Sequence, residues 1–96
     1  MEYRRFGNTI YLRLDPKEEI LEEIGKVAEK ENIRLAQVTG LGAINDFTAG
    51  VYNTVTKEYH SIQFQGAYEI VSLTGTVTRK DGDVYLHLHI AAGYPV

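Results

Sequence analysis

Two of the chain's three histidines, His87 and His89, stand two residues apart in the run Val84-Tyr85-Leu86-His87-Leu88-His89-Ile90. The run alternates, so period two sends Val84, Leu86, Leu88 and Ile90 to one face and Tyr85, His87 and His89 to the other. Imidazoles at positions i and i+2 of a strand lie about 6–7 Å apart along the backbone, which suits two ligands of one metal ion. Zinc favours imidazole and needs one or two further donors. No third protein ligand is evident from spacing. His60, in the polar stretch Tyr59-His60-Ser61, reads as a surface residue.

The elements that must carry this pair begin with a hairpin. Tyr3 to Phe6 and Thr9 to Leu14 read as short strands, joined by Gly7-Asn8, a two-residue turn in which both residues tolerate positive φ. Asp15-Pro16 is expected to start a helix, with aspartate as cap, proline in the first turn and Glu18 and Glu19 at the positive end of the dipole. Ile20, Leu21, Ile24, Val27 and Ala28 then form an apolar stripe. Glu22, Glu23, Lys26, Glu29 and Lys30 are assigned to water, and Asn32 to a left-handed stop. From Ile33 onward the chain reads as successive strands: Ile33–Thr39, Phe47–Tyr52, Glu58–Phe64, Tyr68–Val77 and the histidine strand. Gly40-Leu41-Gly42 reads as a bend and Arg79-Lys80-Asp81-Gly82 as a turn. The expected fold class is α+β: a mainly antiparallel β-sheet with one amphipathic flanking helix, in a single domain over residues 1–96.

Composition narrows the function classes. The 96 residues include no cysteine, which removes thiolate metal sites and disulfides, and a cytoplasmic location fits that absence. The opening Met-Glu-Tyr-Arg-Arg-Phe-Gly has no apolar signal segment, and nothing approaches the ~20 apolar residues of a membrane span, so no membrane partner is expected. A net charge of −3 argues against generic attraction to nucleic acid. A chain this small buries little surface on folding, which favours self-association.

The ordered set Tyr3-Arg4-Arg5-Phe6-Gly7-Asn8-Thr9, Leu12-Arg13-Leu14-Asp15-Pro16, Thr39-Gly40-Leu41-Gly42-Ala43, Gly66-Ala67-Tyr68-Glu69-Ile70-Val71-Ser72-Leu73-Thr74-Gly75 and Leu86-His87-Leu88-His89 resembles the PPC (plant and prokaryote conserved) domain family. In plant nuclear proteins this domain accompanies AT-hooks. The resemblance spans Tyr3 to about Gly93. It implies a compact antiparallel sheet with a flanking helix, a homotrimer, and zinc held by His87 and His89 with a third histidine from a later Gly-Gly-His segment. That segment is absent here, and the family domain continues for several strands past Gly93.

Two readings of function follow. The first is a DNA-associated regulatory or interaction module, non-enzymatic, trimeric and zinc-binding. Direct DNA binding is not expected, because the AT-hook core Arg-Gly-Arg-Pro is missing and the charge is unfavourable. The second is a metal-dependent enzyme or small-ligand binder using His87 and His89 at a subunit interface. No catalytic residue is assigned, since no carboxylate is placed as a general base. Gly66, Tyr68 and Glu69 align with the plant partner-recruitment motif Gly-Arg-Phe-Glu-Ile-Leu and are the candidate interface residues, although Ala67 replaces the arginine and Tyr68 the phenylalanine. Strand phase groups Glu69 with Ala67, Val71, Leu73 and Val77. A carboxylate on such an apolar face is expected to be paired at or near a subunit contact.

Overall fold

The computed structural model describes residues 1–94. Five strands and one helix follow in the order β1 (Glu2–Phe6), β2 (Thr9–Arg13), α1 (Ile20–Lys30), β3 (Ala36–Asn53), β4 (Glu58–Lys80) and β5 (Asp83–Gly93). β1 and β2 form one antiparallel pair, and β3, β4 and β5 form a three-stranded sheet in that order. The fold is therefore α+β and mostly antiparallel, as the patterning implies. The residues group into two compact units: Met1–Ala36 with Thr76–His87, and Gln37–Gly75 with the stretch from Leu88 onward.

In the first unit the β1–β2 hairpin pairs Phe6 with Thr9 and Glu2 with Arg13. Only Gly7 of the turn takes a positive φ, 60°, as the first position of a type II′ turn demands. The expected helix start at Asp15-Pro16 is not observed. Lys17 adopts φ 74° and the Glu18 amide donates to the Asp15 carbonyl at 3.2 Å, so Pro16-Lys17 is the corner of a type II turn. The helix begins at Ile20, capped by Glu19, whose carboxylate accepts the Glu22 amide at 2.6 Å.

The buried stripe of α1 also differs from expectation. Glu23, assigned to water, is 7% exposed, while Leu21, assigned to the stripe, is 47% exposed. Glu23, Ile24, Val27 and Ala28 keep one helical face, and Leu21 falls outside it. Glu23 tolerates burial because its carboxylate meets Lys26 Nζ at 3.1 Å. The helix stops where the sequence suggests. Asn32 has φ 49°, its amide donates to the Glu29 carbonyl (3.2 Å) and the Ile33 amide to the Ala28 carbonyl (2.9 Å), which together make a Schellman motif.

β4 and β5 join through Asp81-Gly82, both at positive φ (53° and 87°), a type I′ turn. Arg79 belongs to β4 rather than to the turn. Its guanidinium donates to the carbonyls of Ile33 (3.0 Å), Ala28 (3.3 Å) and Gly82 (3.2 Å) and to Glu29 Oε1 (3.0 Å), so a cation sits on the negative end of α1. Tyr3 and Arg5 of β1 each donate to Glu31, at 3.0 and 3.1 Å.

In the second unit the expected breaks are absent. β3 runs unbroken through Gly40-Leu41-Gly42 and β4 through Gly66, each strand bending where glycine alone takes positive φ (Gly42 144°, Gly66 141°). The Gln63 amide donates to Asp46 Oδ1, while a Cβ at Gly40 would touch Leu73 at 2.9 Å. More β4 residues than β3 residues fill the interval between these two contacts, as bulging requires.

Candidate functional site

β5 places the histidine pair as the alternation demands. Val84, Leu86, Leu88 and Ile90 are half-buried, and Tyr85, His87 and His89 are exposed on the other face. Lys80 Nζ lies 5.7 Å from the centre of the Tyr85 ring at the start of that face. Antiparallel pairing counted from the two-residue turn sets Thr76 across from His87 and Thr74 across from His89, and both threonines are exposed too.

Two imidazoles on one strand face supply half of a zinc donor set. Among the described residues, no group of three or more histidine, cysteine, aspartate or glutamate side chains gathers to hold an ion. The pair therefore fits zinc only as a bidentate fragment. His60 is exposed on the β3–β4 hairpin with Nε2 3.6 Å from Glu58, the surface role its setting suggests.

The recruitment-motif residues part company. Tyr68 is half-buried in an aromatic cluster. Its ring meets Phe47 edge-on at 5.4 Å and stacks on Tyr94 at 4.9 Å, and Phe47 stacks on Phe64 at 5.2 Å. The two tyrosine hydroxyls lie 3.3 Å apart, and this bond, with some desolvation, raises the Tyr68 pKa. Gly66 supplies the bend just before this cluster. Glu69 is exposed, and the single apolar face assigned to it does not exist. Val71 is 74% exposed, Ser72 is exposed as well, and burial resumes at Leu73 and Val77. Two outward residues in succession switch the inward parity of β4, so Glu69 shares its side with solvent-facing Val71 and not with the buried positions further on.

The groove beside this cluster has no counterpart among the motifs of the sequence. A cavity of about 300 Å³ is lined by Phe47, Ala49, Phe64, Tyr68, Ile90, Ala91 and Ala92. The four-residue loop 54–57 was the available signal. It closes on Asn53, whose carbonyl accepts the Lys57 amide at 2.7 Å, and counting outward from it brings Phe47 against Phe64.

An α+β sheet protein with a strand-borne histidine pair is the class these features define. A family model described as the plants and prokaryotes conserved (PCC) domain matches residues 1–95, and the chain belongs to that family. Solved structures agree. A protein from Bacteroides thetaiotaomicron, whose name provisionally calls it DNA-binding, is 32% identical with a TM-score of 0.91, over 96% of this chain and 64% of that one. A plant- and prokaryote-conserved (PPC) protein from Pyrococcus horikoshii is 35% identical with a TM-score of 0.81, over 86% and 58%. A metal-containing protein from Archaeoglobus fulgidus is 31% identical with a TM-score of 0.83, over 88% and 60%. The chain thus spans 58–64% of the length of these three structures. No curated protein matches it. No helix among the described residues is long and apolar enough to cross a membrane.

Proposed function

We propose that the chain is a non-enzymatic interaction module of the PCC family that works as a cytoplasmic homotrimer, associates with DNA through partners, and holds zinc through His87 and His89. The observation that carries the assembly is a deficit of core. Among the described residues only Ile24, Val27, Ala28, Ile70 and Val77 are buried hydrophobics, and no large side chain is fully buried. Thirteen large hydrophobics are exposed over the same residues. Apolar surface in that proportion gains stability when further protein covers it, which supports an assembled state. For zinc, the support is the shared exposed face of His87 and His89, where a donor from outside the described residues has access. The name of the Archaeoglobus fulgidus relative, a metal-containing protein, points the same way.

For DNA, the support is the name of the Bacteroides thetaiotaomicron relative, and the charge of −3 supports an indirect route over direct phosphate contact. Sedimentation equilibrium tests the assembly: the expected mass is three times the 10.8 kDa of the chain, and a stable lone subunit overturns it. A gel shift with duplex DNA at near-physiological salt tests the route to DNA. No shift is expected from the chain alone, and a salt-sensitive shift overturns indirect association.

A further inference from the structure

The β1–β2 hairpin turns one face toward α1 and the other to solvent. The register pairs Glu2 with Arg13, Arg4 with Tyr11 and Phe6 with Thr9, which puts these six exposed residues on one side. Tyr3, Arg5, Ile10 and Leu12 take the other side, where Tyr3 and Arg5 meet Glu31. The solvent face is not flat. A depression of about 350 Å³ opens on it, lined by Glu2, Arg4, Phe6, Tyr11 and Arg13, with Tyr3 between them. A volume of that order suits a single small ligand.

Rings and cations together define the ligand. Phe6 is 63% exposed and Tyr11 74%, and among the described residues neither ring packs against another aromatic ring. Exposed rings with open π faces accept a flat base. The two cations differ. Arg13 is held between Glu2 Oε2 (3.5 Å) and Asp15 Oδ1 (3.3 Å), so its charge is already answered and Glu2 adds no net repulsion. Arg4, directly across from Tyr11, has no ion pair among the described residues. A guanidinium grips phosphate bidentately through its planar fork. One uncommitted guanidinium beside two rings therefore matches one phosphate joined to one aromatic base. A polynucleotide matches poorly, since its successive phosphates need a run of cations and the chain carries −3. We propose that this face binds a nucleoside monophosphate, with the base on Phe6 and Tyr11 and the phosphate on Arg4.

The site lies on the hairpin alone and rests neither on zinc nor on assembly. Calorimetric titration of AMP into the full chain tests it. Binding of one AMP per chain is expected. Adenosine, which lacks the phosphate, and ribose phosphate, which lacks the base, are each expected to bind at least about tenfold more weakly. Arg4→Gln is expected to weaken AMP about tenfold and to leave adenosine unchanged, whereas Tyr11→Leu weakens both. Arg5→Gln removes the same charge from the opposite face and is expected to leave AMP binding as it is. The substituted side chains are exposed, and circular dichroism checks that each variant folds. No AMP binding at millimolar concentration overturns the proposal. So does equal AMP affinity in wild type and Arg4→Gln or in wild type and Tyr11→Leu, and so do equal losses in Arg4→Gln and Arg5→Gln. An adenine oligonucleotide that binds more tightly than AMP also overturns it, because the face is then a nucleic-acid surface.

Discussion

The guanidinium of Arg79, near the end of β4, donates to the backbone carbonyl of Ile33, just past the end of α1, at 3.0 Å. The same side chain reaches Ala28, Glu29 and Gly82 and is 16% exposed, so one residue satisfies helix-end carbonyls and ties the β4–β5 turn to the helix. Arg79→Ala is expected to destabilise the fold by about 2–3 kcal/mol, the range for losing charged hydrogen bonds and leaving carbonyls unmet. Arg79→Lys should recover only part, because an ammonium lacks the planar fork. Urea unfolding measures both. An unchanged midpoint for Arg79→Ala contradicts the role.

Acid stability has a defined contributor in Glu31. The Arg5 guanidinium and then the Tyr3 hydroxyl hydrogen-bond its carboxylate and lower its pKa below the ordinary 4.5. A carboxyl whose folded value is depressed contributes stability that is present above the unfolded value and lost as pH falls through the folded one. The melting temperature of the wild type is therefore expected to fall more steeply below pH 4.5 than that of Glu31→Gln. Parallel curves from pH 6 to 3 would remove Glu31 from the account.

Glycines separate by conformation. Gly66 has φ 141° and accepts no other residue without strain, so Gly66→Ala is expected to cost about 1–3 kcal/mol. Gly25 lies inside α1, and a Cβ there meets nothing within 4 Å, so Gly25→Ala is expected to stabilise by about 1 kcal/mol. Thermal denaturation of the two variants beside wild type should show opposite signs.

Local chemistry is legible where a turn or stop has a single reading. Asn32, Gly7-Asn8 and Asp81-Gly82 ended their elements as their side chains suggest, and strict alternation placed His87 and His89 on one exposed face. The failures have physical causes. Asp15-Pro16 suits a helix start and a type II turn equally, and the positive φ of Lys17 decided for the turn. Gly42 and Gly66 look like strand ends in one dimension, yet in the sheet their positive φ bends a strand that continues. Glu69 was misplaced because period two was carried across Val71-Ser72, where parity switches. The groove was hidden because Phe47 and Phe64 meet only once the intervening loop closes.

The paired histidines remain the feature on which the functional account turns. Zinc titrated calorimetrically into chelator-treated protein, in wild type, His87→Ala and His89→Ala, tests them most directly. Stoichiometric binding is expected in wild type, and its loss or marked weakening in each variant, with the fold retained by circular dichroism. Equal zinc affinity in all three proteins, or none in the wild type, would contradict it.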